Sequence, residues 1–355
     1  MIGVTAARFN SDMLRLARGA RRATQGNLAD WSGLSQALIS KIENGLTQPS
    51  DEVVEKIAAA LRFPRSFFFQ QESAIGFPPF HYRKRARLGV KALNYIGAAI
   101  NIRRQHVAKL MRSYEMEVLK PIPQIDLDET GLTPERIAER LREYWMLPRG
   151  PVESVVKVIE QAGAIVIPIR FNTNLMDGLS FRSEGLPPLI FLNRDMPGDR
   201  WRFSLAHELA HLVMHTIPSD DQQMEAEAHR FAAAFLMPAV DVRPYLSNIK
   251  LSTLARVKAY WKVSIKALIK RAHDLKLITD YYYKVLNINY NKSFFQGEPI
   301  EIPQEKPTLM KRIVKYHMDN LWYSPDDLAN LLCLNEDDAR LLYTDGRRLR
   351  IVASN

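Results

Sequence analysis

Trp201 to Pro238 reads WRFSLAHELAHLVMHTIPSDDQQMEAEAHRFAAAFLMP, and its decisive pentad is His207-Glu208-Leu209-Ala210-His211. On an α-helix, residues i and i+4 lie one turn apart on one face. The spacing therefore predicts two imidazoles that address one ion, with the Glu208 carboxylate next to them. Phe203, Leu205, Ala206, Leu209, Ala210, Leu212 and Val213 supply apolar flanks, and no breaker intervenes before Pro218. A catalytic Zn²⁺ takes three protein ligands and keeps one position open. Met224 to Met237 is a second apolar-periodic run, closed by Pro238, and it offers Glu225, Glu227 and His229. Glu225 shares a helix face with His229, whereas Glu227 is rotated by about 200° from Glu225, so both carboxylates cannot be ligands. The reading favours His207, His211 and Glu225 as ligands, Glu208 as the base that takes a proton from water, and His229 as a partner behind the ligands.

So short a pentad also arises by chance in buried helices. Two features argue against chance here. Four of the eight histidines fall between positions 207 and 229, and a carboxylate-bearing helix follows after a short loop. His215 extends the i, i+4 series and reads as a packing or hydrogen-bonding histidine.

The composition is that of a globular protein of two or three domains: 355 residues, 46% apolar and 25% charged. The single cysteine, Cys333, excludes an internal disulfide framework and reads as a buried inert thiol in Leu331-Leu332-Cys333-Leu334. No window is apolar enough for a membrane span, and Met1-Ile2-Gly3-Val4 lacks signal-peptide order, so a cytoplasmic location without membrane association is expected. The net charge of +10 is carried by the first third: residues 1–120 hold 19 Lys/Arg against 9 Asp/Glu, and the remainder is balanced at 30 each. A surplus confined to one region points to a polyanion such as double-stranded DNA.

That region reads as short helices. Arg8 to Arg22 comes first. Thr24 caps Gln25 to Ser32, Gly33 breaks, Ser35 caps Gln36 to Asn44, Gly45 suits a left-handed helix end, and Ser50 caps a fourth helix. A fifth short element follows Pro64. Two short helices joined by a glycine turn inside a small bundle describe a helix-turn-helix. Its third helix would enter the major groove, presenting Gln36, Ala37, Ser40 and Lys41 from its Ser35 cap, while Gln25 faces a backbone phosphate. Residues 73–114 contain no acidic residue. Phe77-Pro78-Pro79-Phe80-His81-Tyr82-Arg83-Lys84-Arg85 reads as an extended linker, and Ala86 to Met111 as a helix that connects domains or adds phosphate contacts.

Further along, Thr133 caps Pro134 to Trp145, and Val152 to Gln161 is amphipathic. Ala164–Ile169, Gly178–Arg182 and Leu189–Asn193 are strand candidates. Leu189–Asn193 is either a core strand or the edge on which an extended substrate pairs. Leu251 to Leu277 reads as a helix with Lys258, Lys262, Lys266, Lys270 and Arg271 solvated. An irregular stretch from Tyr281 to Pro307 and helices at Met310–Met318, Pro325–Cys333 and Asn335–Tyr343 follow.

Two resemblances rest on these residues. Thr24-Gln25, Leu28-Ala29, Leu34 to Gly45 and Pro49-Ser50 closely resemble the phage-repressor-like (XRE) helix-turn-helix family over residues 8 to about 70. Gly178 to Phe181, Pro188 to Asn193, Asp199 to Leu212, and Glu225 to Ala232 with Leu236-Met237-Pro238 resemble the ImmA/IrrE-type metallopeptidases over residues 135 to 280, except that His229 replaces the family's usual Asn or Asp. The second resemblance implies His207, His211 and Glu225 as zinc ligands, Glu208 as catalytic base, and a repressor-like protein substrate in stress, phage or mobile-element control. The first implies a homodimer on a palindromic operator, and relatives near toxin genes suggest a toxin as a further partner.

The expected fold is mainly α with a small β-sheet (α+β). It comprises a five-helix helix-turn-helix bundle over 1–72, a basic linker and connecting helix over 73–133, a zincin-like metallopeptidase domain over 134–280 and a helical region of unassigned role over 281–355. The rival reading keeps the fold and drops the chemistry: a DNA-binding regulator or antitoxin whose metal domain senses a ligand or partner. The presence of Glu208 favours the enzyme, because a sensor needs no base there.

Overall fold

The computed structural model describes residues 8–71, 88–215 and 221–343. The Phe77-to-Arg85 segment and the expected helix start at Ala86 lie outside them. The described residues form two compact units, one from 8–71, 88–115 and 308–343, the other from 116–215 and 221–307. The architecture is mainly α, with a single three-stranded sheet among the described residues.

The first unit begins with α1 (Ser11–Ala20), α2 (Gln25–Ser32), α3 (Gln36–Glu43), α4 (Asp51–Leu61) and a 3₁₀ turn, Arg65–Phe69. Side-chain caps set the starts: Thr24 and Asn27 form a capping box, Ser35 accepts from Leu38 N, and Ser50 accepts from Val53 N. Each such cap stabilises its helix by about 1 kcal/mol. Gly33 closes α2 in the left-handed region, at φ 66°. Glu43, only 3% exposed, accepts Arg18 Nε and Nη2 at 2.5 and 3.0 Å and Gln25 Nε2 at 2.7 Å, and so ties α1, α2 and α3 together. The long α5 (Val90–Met111) packs along α1, and C-terminal helices Leu309–Asp319 and Pro325–Leu332 pack against α5. Part of the tail that carried no expected role thus completes the first unit.

The second unit contains α6 (Pro134–Tyr144), α7 (Val155–Gln161), β1 (Ile165–Ile169), β2 (Gly178–Phe181), β3 (Leu189–Asn193), α8 (Gly198–Met214) and α9 (Asp221–Leu236). It continues through α10 (Ala239–Leu246), α11 (Leu251–Trp261), α12 (Ile265–Asp274) and α13 (Asp280–Ser293). The strand order is β1-β3-β2, with β1 and β3 parallel and β2 antiparallel to β3. Leu189–Asn193 is therefore the middle strand, a core strand as the first of its two readings has it, and not the edge. Its five residues are all buried, as a strand covered on both faces requires. Helix α8 packs against β2, β3, α7 and α9, and fifteen of its residues are buried. A helix enclosed all round is the centre of its domain.

Three further expectations change. Leu251 to Leu277 is two helices, because Lys262 adopts a left-handed φ of 55° and Ser264 caps the second. Within them Lys258 and Arg271 are buried, not solvated. Lys258 Nζ donates to Asp199 at 2.6 Å and Glu298 at 2.9 Å, and Arg271 Nε donates to Met237 O at 3.1 Å. Residues 280–293, read as irregular, form α13, whose Thr279 cap accepts from Tyr282 N and whose Leu286 is buried. The segment after α13 is then held at Glu305, which accepts Ser154 Oγ and Val156 N at the start of α7 and pairs with buried Arg202. Gly198 lets this segment pass: a Cβ there would lie 2.1 Å from Ile302 O.

One buried group makes the first unit sensitive to acid. His106, 1% exposed, shares a hydrogen bond of 2.6 Å with Tyr343 OH. Burial, then the charges of Arg103 and Lys109, hold its pKa well below the ordinary 6.5. The folded ring stays neutral while the unfolded chain takes up a proton, so stability is complete above about pH 6.5 and falls as pH drops through that value. Between about pH 7 and about pH 5.5 wild type should lose roughly 1 kcal/mol more than His106→Leu in urea unfolding of this unit. Parallel pH dependences of the two proteins would contradict this account.

Candidate metal centre and nucleic-acid surface

The pentad lies in the middle of α8, where the turn-to-turn rise stacks His207 beneath His211. His207 Nε2 and His211 Nε2 are 3.1 Å apart. From α9, Glu225 brings Oε2 within 3.5 Å of His207 Nε2 and Oε1 within 3.6 Å of His211 Nε2. One ligand atom from each of the three side chains lies within 4.8 Å of the others. Donors about 2.0–2.1 Å from a tetrahedral ion are separated by about 3.3 Å, so this spacing fits a zinc-sized cation. The donor set, two imidazoles and a carboxylate, suits the same ion. His207 and His211 are 5% and 3% exposed, and the Glu225 side chain is 26% exposed.

Glu208, one residue on from His207 along α8, reaches Ser180 of the sheet and is 1% exposed. Ser180 on β2 donates from Oγ to Glu208 Oε2 at 2.8 Å and approaches Glu208 O at 3.0 Å. Two residues earlier, Gly178 leaves the room that the carboxylate needs: a Cβ there would lie 2.9 Å from Glu208 Cγ and Oε1 and 2.7 Å from Leu192 Cδ2. Strand alternation turns residues 178 and 180 to the same face. The loop before β2 is held by Asp177, which accepts Arg200 at 2.7 and 2.8 Å and Ser204 Oγ at 3.2 Å.

His229 is exposed, and its ring lies 4.6 Å from that of His207 and 5.8 Å from that of Phe203. His215 is 7% exposed and ends α8 with its Nδ1 2.8 Å from His211 Nδ1 and its Nε2 3.1 Å from Glu227 Oε2. Burial first, and then His211, depress the His215 pKa to about 4, so the ring is neutral at physiological pH. The sequence reading passed over Ser180, Gly178 and the His215–Glu227 contact. The one signal for the first two is their place in the Gly178 to Phe181 stretch that carries the second resemblance.

In the first unit, Gln36, Ala37 and Lys41 are exposed on α3, Ser40 is half-buried, and Ser35 spends its hydroxyl on the cap. The Gln25 side chain, at the first turn of α2, donates from Nε2 to Glu43 Oε2 at 2.7 Å. A cleft of about 540 Å³ lies beside these helices, lined by Arg18, Arg22, Gln25, Gln36, Lys91 and Asn94 among others. Arg22 stacks over Tyr95 of α5 with its Cζ 4.2 Å from the ring centroid. No helix among the described residues is long and apolar enough to cross a membrane.

Comparison with known proteins agrees with this division. Residues 11–66 match the model of a helix-turn-helix domain. Residues 159–273 match the peptidase M78 model, described as the IrrE N-terminal-like domain. A protein of Bacillus subtilis (strain 168), described as an uncharacterized HTH-type transcriptional regulator RghRB, is 48% identical over 52 residues. That similarity covers 14% of this chain and 37% of the relative's length. The chain therefore carries a helix-turn-helix domain at its N-terminal end and, beyond it, an IrrE N-terminal-like domain of the peptidase M78 family.

Proposed function

We propose that this protein is a DNA-binding transcriptional regulator whose second unit is a zinc-dependent endopeptidase. The observation that carries the enzymatic half is the convergence of His207, His211 and Glu225 from two helices beside a buried, oriented Glu208. In this reading His207, His211 and Glu225 hold the ion, which when bound supplies Lewis acidity. Glu208 takes the proton of the attacking water and passes it to the leaving amine. Ser180 fixes the carboxylate by its hydrogen bond, and Gly178 leaves space for it. His229 borders His207 as a partner behind the ligands.

The sheet supports an extended substrate. Asn193 N donates to Asp177 O at 2.8 Å, so antiparallel alternation turns the N–H and C=O of Gly178 and Ser180 away from β3. A peptide can add there as a further strand, next to Glu208. On the family resemblance the substrate is a repressor-like or other regulatory protein. The helix-turn-helix unit, carried as a homodimer, would read a palindromic operator through Gln36, Ala37, Ser40 and Lys41, with Gln25 and the Ser35 end of α3 towards the phosphates. A toxin encoded nearby is a further partner on the same resemblance, and the cytoplasm is the compartment in which these activities meet.

Glu208→Gln separates catalysis from metal binding. The variant should retain zinc yet cleave a peptide library, read by mass spectrometry, at least about 100-fold more slowly than wild type. Equal cleavage by the two proteins would remove the base from the mechanism. A wild type that binds zinc and cleaves neither peptides nor a co-encoded regulator would favour the non-catalytic sensor.

On DNA recovered by selection with the full protein, Gln36→Ala should cost about 1–3 kcal/mol at particular base positions. Lys41→Ala should weaken all sequences alike and lower the salt slope by about 1. Binding unaffected by both changes would remove α3 from the DNA interface.

A further inference from the structure

We infer that His215 and Glu227 form a hydrogen-bond relay that fixes which nitrogen of His211 faces the His207–Glu225 cluster, which makes His215 a positioning residue of that site. The inference rests on the metal-site reading above.

Gln223 Nε2 donates to Glu227 Oε1 at 2.9 Å, which steadies the carboxylate, and its other oxygen lies 3.1 Å from His215 Nε2. An ionised carboxylate only accepts, so His215 Nε2 carries the hydrogen of that contact. A neutral imidazole has one N–H, so His215 Nδ1 is then an acceptor. It lies 2.8 Å from His211 Nδ1, a contact that two acceptors cannot make. His211 Nδ1 must therefore be the donor, and His211 Nε2 keeps a lone pair. That nitrogen is the one 3.1 Å from His207 Nε2 and 3.6 Å from Glu225 Oε1.

The reverse relay has a definite cost. If His215 Nδ1 donated, His211 would carry its proton on Nε2, and that nitrogen could not ligate. A doubly protonated His215 would produce that state, but its ring is 7% exposed, where an added charge is disfavoured. The relay also explains why two carboxylates on α9 both reach the histidines of α8 although they project from different sides. Glu225 approaches the cluster directly, and Glu227 approaches through His215. Such outer partners raise ligand basicity and hold ring orientation.

Two measurements on the full-length chain test this. The first is ¹⁵N imidazole NMR of metal-free protein. Wild type should show His211 protonated on Nδ1 and His215 on Nε2. In His215→Phe and in Glu227→Leu the His211 pattern should become a mixture of tautomers. Glu227→Gln keeps an amide oxygen as acceptor and should restore the wild-type pattern. The second is zinc affinity by competition with a chromophoric chelator. His215→Phe and Glu227→Leu should bind zinc about 10–100-fold more weakly, and Glu227→Gln should lie close to wild type.

A His211 protonated on Nε2 in wild type, or zinc affinity and tautomers unchanged in both weakening variants, overturns the relay. Failure of wild type to bind zinc would instead overturn the metal-site reading, and the tautomers of the metal-free protein would still decide the relay.

Discussion

The second unit depends on one constraint: α8 must bury a row of polar side chains in the centre of an apolar core. Fifteen of its residues are buried, among them His207, Glu208 and His211. A polar group taken from water without a partner costs several kcal/mol, and a charged one more. Each buried group is accordingly met by a particular neighbour. Ser180 and the space at Gly178 receive Glu208, Glu225 faces the two histidines, and His215 with Glu227 stands behind His211. The sheet, α9 and the end of α8 are placed so that these neighbours arrive, and the same placement gathers two imidazoles and a carboxylate around one point.

How much of this was legible in the chain follows from how local each signal is. The i, i+4 histidines and the Glu225 face of the next helix are readable because a helix maps sequence spacing onto direction. The caps Thr24, Ser35, Ser50 and Thr133 were readable because each bonds a backbone N–H three residues on. Ser180 meets Glu208 across 28 positions and Glu227 meets His215 across 12, and no periodicity links such pairs. Lys258 and Arg271 looked solvated because charge at helical spacing usually is. Their partners, Asp199, Glu298 and Met237 O, come from 59, 40 and 34 positions away. The break at Lys262 escaped notice because a lysine, not a glycine, takes the left-handed position. The middle place of Leu189–Asn193 follows from how β1 and β2 flank it, and a short apolar run does not encode its neighbours.

The first unit follows the same rule with different chemistry. Glu43 joins three helices through Arg18 and Gln25, so the surface of α3 is presented on a braced scaffold. Basic residues from α1 and α5 line the cleft beside it, in keeping with the +10 charge carried by residues 1–120. C-terminal helices pack on α5, and the buried pair of His106 and Tyr343 joins the two ends of this unit across 237 positions. The two units thus have separate cores, one organised by an ion pair and the other by the polar row of α8.

Zinc K-edge absorption on the full-length protein, after loading and removal of excess metal, addresses the central claim most directly. The account predicts one tightly held zinc per chain, with a first coordination shell of two imidazole nitrogens and one carboxylate oxygen at about 2.0–2.2 Å. Zinc well below one per chain, or a shell that lacks imidazole, would contradict it.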